Sequence, residues 1–242
     1  MDYGVMFDKI RKIIEEDPDN VTILEEVIDV ELQMDYFKYS VDVKKNLDID
    51  EVEKHKDDLF SKDVSLDKKK SLLVELASIN NVDLFRIVEK YMKNPDSELR
   101  DWSILAYQES RMLIQSSLME KTPVFISTGL GGKKDKLRYS VVFFSSDNEP
   151  FTELQKNIIK GEIEYLCNKT NSELEGIEYN KNYCSLLIMI PLKVSIKDSL
   201  LSLVNSCNEL GGFINSSFLV TNVKHLNDKD IMEAYNKKGN KN

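Results

Sequence analysis

The stretch from residue 127 to 144, STGLGGKKDKLRYSVVFF, has the composition most suited to chemistry, because three glycines and four basic residues precede an apolar run. Clustered backbone N–H groups can cradle a phosphate. The Walker A motif, however, needs GxxxxGK[ST], and the dinucleotide fingerprint needs GxGxxG followed by a helix. Here Lys134 follows Lys133, and the next element is a strand beginning near Leu137. We therefore predict a solvated hairpin turn, with glycine permitting positive φ.

An anion or RNA-backbone contact is the alternative interpretation of this loop. Its residues would be Gly131, Gly132, Lys133, Lys134, Lys136 and Arg138. RNA-binding sheets expose aromatic side chains on their central strands for base stacking. The strand NYCSLLIMI offers only Tyr183, at its start. Nucleic-acid binding through the basic loop at 129–138 is therefore weakly supported.

Cysteine and histidine give little sign of catalytic or metal chemistry. Cys167, Cys184 and Cys207 form no CxxC pair and lie within apolar patterns, so we predict small buried hydrophobes. The two histidines, His55 and His225, lie in different halves of the chain. The paired carboxylates fall on charged helical faces, where solvation explains them. We expect no metal, no cofactor and no enzymatic activity.

The net charge of −9 is unevenly distributed. Residues 1–120 carry 17 Lys and Arg against 28 Asp and Glu, a net of −11, whereas residues 121–242 carry 16 against 14, a net of +2. A nucleic-acid footprint would be basic. We interpret the acidic half as a solvated helical surface, with a surface for a basic partner as the alternative.

No apolar run approaches the ~20 residues needed to cross a bilayer. The N-terminal MDYGVMFDKIRKIIEED has acidic residues among its apolar ones and does not resemble a signal peptide. We therefore expect no membrane association and a cytoplasmic location.

Apolar spacing changes near residue 120. Before it the spacing is mostly helical, and after it short apolar runs alternate with helical segments. We predict an acidic helical region at 1–120 and an α+β domain at 121–242 that ends in a short helix. Helices are predicted at 3–16, at 20–39 with Asn20 as N-cap, from Asp48, and at 66–79, 82–93 and 96–119, with an irregular segment at 40–47.

Two amphipathic helical patterns follow each other in residues 71–115, joined by a Pro-Asp turn that leads to Arg100 and a small Ala106. The sequence of this segment is SLLVELASINNVDLFRIVEKYMKNPDSELRDWSILAYQESRMLIQ. This segment resembles a HEAT-type helical repeat, which implies an interaction or scaffolding surface. Within it, Trp102 and Arg100 are candidate interface residues, since interface hot spots favour Trp and Arg. The alternative for Trp102 is a place in the core.

From 138 to 223 the predicted order is strand, helix, strand, strand, helix, strand, with an extra leading strand at 123–128. Thr152 with Gln155 and Ser195 with Asp198 have capping spacing at the two helix starts. This order resembles a ferredoxin-like module. It is also similar to ACT-like modules, which implies binding of small ligands and association of copies through the sheet.

These patterns support three hypotheses about function. The first is a non-enzymatic cytoplasmic interaction or scaffold protein with a protein partner. The second is an ACT-like small-ligand-sensing module, with a homo-oligomer formed through the C-terminal sheet. The third is an RNA-associated or ribosome-associated protein that uses the basic loop.

Overall fold

The computed structural model describes residues 20–119 and 123–239, and the fold is α+β. The helix predicted at 3–16 lies outside the described residues. The chain divides into two compact units. Ile28–Phe125 form one, called here the helical unit, and the described residues before Ile28 join those from Ile126 onward in the other, called the sheet unit.

The helical unit contains five α-helices among its described residues. They are α1 (Val30–Val43), α2 (Ile49–His55), α3 (Leu66–Ala77), α4 (Val82–Lys93) and α5 (Arg100–Met119), with short 3₁₀ turns at Lys56–Phe60 and Ser97–Leu99. The predicted helices at 66–79, 82–93 and 96–119 are confirmed. The side chains of Asp48, Ser65 and Asn81 accept backbone N–H groups at the starts of α2, α3 and α4. The HEAT-type assignment of this segment stays a prediction.

The helix predicted over 20–39 is wrong at its start. Val21–Ile23 form strand β1, and α1 begins only after Asp29. The carboxylate of Asp29 accepts the N–H of Glu31 at 2.7 Å, which makes Asp29 the N-cap in place of Asn20. At its other end α1 continues to Val43, through part of the segment predicted to be irregular.

One carboxylate anchors α1 to α5. Glu109 accepts hydrogen bonds from the Tyr36 hydroxyl at 2.6 Å, the Ser40 hydroxyl at 2.5 Å and the Lys44 ammonium at 2.5 Å. Burial of the ring, together with the nearby carboxylate, raises the pKa of Tyr36 well above its ordinary value, so the hydroxyl keeps the proton that it donates. The buried face of α1 is therefore polar but satisfied.

A second ion pair joins α3 to the turn between α4 and α5. The Lys69 ammonium lies 2.7 Å from the Asp96 carboxylate, which also accepts a hydrogen bond from the Tyr91 hydroxyl at 2.7 Å. Lys69 is almost fully buried, whereas Asp96 keeps partial access to water. The hydrogen bonds from Lys69 and Tyr91 hold the pKa of Asp96 below its usual range.

The sheet unit is built on a five-stranded antiparallel sheet. Its strands are β3 (Gly132–Lys133), β4 (Lys136–Ser145), β5 (Glu173–Asn180), β6 (Tyr183–Pro191) and β7 (Ile214–Thr221), and its helices are α6 (Glu153–Thr170), α7 (Ile196–Glu209) and α8 (Asp228–Gly239). The order is β3-β4-β6-β5, with β7 also beside β4. The predicted strand and helix order from 138 to 223 is confirmed, and it is the split βαβ arrangement.

The extra leading strand does not join this sheet. It forms β2 (Val124–Ile126), which pairs with β1 in a separate two-stranded sheet. The N–H of Leu24, just after β1, donates to the carbonyl of Ile126 at 2.9 Å.

Both faces of the five-stranded sheet bury apolar side chains. The larger core cluster includes Val141, Phe143, Ile159, Ile163, Leu186, Ile188, Leu203 and Cys207, from β4, β6, α6 and α7. The smaller cluster contains Val142, Phe144, Tyr183 and Ile231, with Ile231 supplied by α8. Alternation along β4 therefore places Phe143 and Phe144 in different cores.

Both edges of the sheet are irregular. The pairing of β5 with β6 shifts between Leu174 and Gly176, and the pairing of β4 with β7 shifts between Phe143 and Ser145. Bulges of this kind discourage edge-to-edge pairing with another chain. Association of copies through the C-terminal sheet stays a prediction.

None of the helices in the described ranges is long and apolar enough to cross a membrane.

We predict that the two halves of the Lys69–Asp96 pair differ in their contribution to stability. Asp96→Asn leaves the buried Lys69 ammonium without its counter-charge and should lower the free energy of unfolding by about 1–3 kcal/mol. Lys69→Met keeps the apolar stem, and the Asp96 carboxylate that it leaves unpaired still reaches water. This variant should therefore lose less unfolding free energy. Urea denaturation of both variants measures the difference, and an equal or larger loss for Lys69→Met would contradict this account.

The same pair predicts an acid-dependent loss of stability. Because the pKa of Asp96 is lowered on folding, its contribution is complete above the unfolded carboxyl pKa of about 3.9 and is lost as pH falls through the folded value. The difference in unfolding free energy between the natural chain and Asp96→Asn should therefore be constant near neutral pH and shrink below about pH 4. A difference that grows on acidification would contradict the sign.

Candidate functional site

The glycine-rich loop forms an ordered hairpin. Gly132 and Lys133 in β3 pair with Leu137 and Lys136 in β4, and Lys134 and Asp135 make the turn. The predicted turn is present, but the loop before it is not solvated, because residues 129–132 are all buried. The glycines thus have a packing role that the sequence did not indicate.

That packing role is a close approach of two backbone segments. A Cβ atom on Gly131, whose φ is +65°, would lie 2.5 Å from the carbonyl oxygens of Glu25 and Glu26. A Cβ atom on Gly132 would collide with the carbonyl oxygen of Lys136 and lie 2.8 Å from the Ile23 side chain. Glycine is needed at both positions because no side chain fits between the segments.

Two backbone N–H groups of this loop already have acceptors. The N–H of Leu130 donates to the carbonyl of Asn222 at 3.0 Å, and that of Gly131 donates to the carbonyl of Thr128 at 3.2 Å. A phosphate cradle needs such groups to point at the ligand. These two point at carbonyls instead.

Two of the four basic side chains of the hairpin are paired with glutamates on β5. The Lys136 ammonium lies 2.5 Å from Glu173, and the Arg138 guanidinium makes two hydrogen bonds to Glu175, at 2.5 and 2.9 Å. Arg138 also donates to the carbonyl of Leu130 at 2.6 Å. The hydrogen bond from Lys136 holds the pKa of Glu173 below its usual range, and the bond to Glu175 raises the pKa of Arg138.

Lys133 and Lys134 are the exposed basic residues of the hairpin. Lys134 has a φ of +55°, a conformation that glycine and asparagine adopt more easily. The anion contact considered from the sequence stays a prediction, and in this geometry these two lysines are the side chains available for it.

The structure separates the two candidate interface residues of the helical unit. Trp102 is 4% exposed, its indole N–H donates to the carbonyl of Lys70 at 3.0 Å, and its ring lies 4.9 Å from that of Tyr36. Trp102 therefore lies in the core. Arg100 is exposed and pairs with Asp101 at 2.8 Å. An interface through Arg100 stays a prediction.

The three cysteines are free thiols, and Cys184 and Cys207 are buried. Burial raises the pKa of both to about 12, so neither forms a thiolate at neutral pH. Burial also raises the pKa of the half-buried Cys167. Within the described ranges, no group of three or more His, Cys, Asp or Glu side chains could hold a metal ion.

A cleft in the helical unit was not predicted from the sequence. It has a volume of about 450 Å³ and lies between the C-terminal end of α1, the start of α2 and the side of α3. Its lining residues are Asp42, Val43, Asn46, Leu47, Asp48, Glu51, Val52, His55 and Glu75. Three aliphatic side chains thus lie among four carboxylates. These carboxylates come from three helices, and no local motif connects Glu75 to the others.

Hydrogen bonds orient the carboxylates of the cleft. Asp48 accepts the N–H of Glu51 as the N-cap of α2, at 3.2 Å. Glu75 accepts a hydrogen bond from the Ser71 hydroxyl at 2.7 Å, and Ser71 accepts one from the Tyr39 hydroxyl at 2.9 Å. The cleft thus places oriented acceptors beside an apolar surface.

Nearby cations neutralise the cleft only in part. Lys45 lies 2.7 Å from Asp42, and Lys54 lies 2.6 Å from Glu51. Both pairs are exposed, and exposed pairs of this kind are worth little in water. These two pairs therefore hold Asp42 and Glu51 only weakly.

No protein-family model matches the sequence, and no curated protein matches it. Among solved structures, the chain is similar to the crystal structure of a "putative transposase" from Deinococcus radiodurans. The identity is 16%, the TM-score is 0.34, and the match covers 43% of this chain and 90% of that chain. A likeness of this size carries no argument about function.

Substitutions in the buried glycine loop can separate the cost in stability of a positive φ from the cost of a steric clash. Gly131→Ala combines a positive φ with a clash against two carbonyls, whereas Gly212→Ala has a positive φ of +63° and nothing within 4 Å. Gly176→Ala has neither problem. We expect Gly131→Ala to lower the free energy of unfolding by clearly more than about 1 kcal/mol and Gly212→Ala to lower it by about 1 kcal/mol. Gly176→Ala should lower it least.

Denaturant unfolding of the three variants measures this order. Equal losses for Gly131→Ala and Gly212→Ala would show that the approach of Glu25 and Glu26 does not constrain the loop.

Proposed function

We propose that the protein is a non-enzymatic interaction protein whose helical unit binds a basic segment of a partner protein. The observation that carries the proposal is the cleft between α1, α2 and α3, in which carboxylates surround an aliphatic surface. The excess of acidic residues in the first 120 positions supports it.

The cleft matches the two-part chemistry of a lysine or arginine side chain. The methylene stem of such a residue can lie along Val43, Leu47 and Val52, while its charged head reaches Asp48, Glu51 or Glu75. A cation that keeps part of its hydration while its stem is buried gains from both contacts. A small neutral ligand would leave the carboxylates unused.

A cytoplasmic location is part of the proposal. The three cysteines are free, and free thiols persist in reducing compartments. The free thiols therefore support a reducing compartment.

The other two hypotheses have less support from the described residues. RNA binding through the hairpin would depend on Lys133 and Lys134, because Lys136 and Arg138 already pair with glutamates. An ACT-like ligand site has the confirmed element order in its favour, but element order does not fix function. We therefore place the interaction hypothesis first.

The proposal is tested by binding of a fluorescein-labelled peptide of alternating lysine and leucine, measured by fluorescence anisotropy. The variant Asp48→Asn/Glu51→Gln/Glu75→Gln removes three charges of the cleft and keeps side-chain shape. Asparagine still caps α2. With each exposed contact worth about 0.2–1 kcal/mol, we expect roughly tenfold weaker binding.

The matched control is Asp50→Asn/Glu53→Gln/Asp57→Asn, which removes the same charge from nearby exposed positions that do not line the cleft. It should change affinity far less. Equal weakening in both variants would mean that the peptide senses only overall charge, and an absence of binding by the natural chain would remove the proposal.

A further inference from the structure

The cleft of the helical unit contains one histidine beside its carboxylates. His55 is the last residue of α2, and it lines the cleft. Histidine is the side chain whose charge ordinarily changes between about pH 5 and pH 8. Carboxylates ordinarily ionise near about pH 4 and keep their charge across that window. Of the nine described residues that line the cleft, His55 is therefore the one whose charge changes near neutral pH.

Each ring nitrogen of His55 lies near a carboxylate. Its Nδ1 is 3.2 Å from an oxygen of Asp58, and its Nε2 is 3.8 Å from an oxygen of Glu51. A neutral imidazole has a single N–H, so it can donate on one side only. The protonated ring adds a second N–H and a positive charge. Protonation therefore lets His55 pair with both carboxylates, and Glu51 is one of those that line the cleft.

The charged groups around His55 come from every element that borders the cleft. Acidic groups outnumber basic ones there, six to three, so a proton on His55 enters a region of net negative charge. The groups are Asp42 and Lys45 at the end of α1, Asp48 before α2, Glu51 and Lys54 on α2, Lys56, Asp57 and Asp58 in the 3₁₀ turn, and Glu75 on α3.

We propose that protonation of His55 weakens the binding of a basic partner segment by the cleft, so that the partner is held near neutral pH and released on acidification. This inference rests on the proposed function. The proton places a positive charge beside Glu51, which then has both His55 and Lys54 competing with the partner's cation. By linkage, a bound cation opposes protonation of His55 by the same factor.

The affinity of the lysine and leucine peptide, measured by fluorescence anisotropy at about pH 7.5 and about pH 5.5, tests this regulation. Ionic strength is held constant, and the label is tetramethylrhodamine because fluorescein itself titrates in this range. Lysine side chains stay charged at both pH values. Since the pairs are exposed, we expect the natural chain to bind roughly two- to fivefold more weakly at the lower pH.

Two substitutions of His55 should move the affinity in opposite directions. His55→Gln cannot gain the charge and should bind at both pH values as the natural chain does at the higher one. His55→Lys carries the charge permanently and should bind at both pH values as weakly as the natural chain does at the lower one. The matched control is His225→Gln, at the other histidine of the chain, which is exposed in the sheet unit. It should keep the natural pH dependence.

The outcomes separate this regulation from the function on which it rests. Affinity that is unchanged or tighter at the lower pH would overturn the regulation and leave peptide binding by the cleft intact. A pH dependence that survives in His55→Gln, or that is lost in His225→Gln, would also overturn it. If the natural chain binds the peptide at neither pH, both the regulation and the proposed function are removed.

Discussion

The helical unit depends on the carboxylate of Glu109. Three donors spaced four residues apart, Tyr36 and Ser40 on α1 and Lys44 just after it, converge on its two oxygens. A buried polar face costs free energy unless its groups are paired, and this single acceptor pairs the buried hydroxyls of Tyr36 and Ser40. Because the buried side of α1 is largely polar, the apolar side chains of Met34, Phe37 and Val41 remain exposed.

The sheet unit is constrained by a different contact, the close approach of Gly131 and Gly132 to the segment after β1. Beyond these glycines, the hairpin directs Lys136 and Arg138 toward Glu173 and Glu175 on β5, across the intervening strand β6. A loop with the composition of an anion site thus uses half of its basic side chains within its own sheet. Composition alone could not distinguish these uses.

The sequence predicted those features that local chemistry decides. The capping box of Thr152 and Gln155 is present because both partners lie within one helical turn. The N-cap at Asn20 was wrong because Asp29 caps α1 and the branched residues of Val21–Ile23 favour a strand. The cleft and the burial of Gly131 were not predicted, since each joins residues far apart in the chain. Periodicity found the helices, but it could not show that α1 buries its polar side.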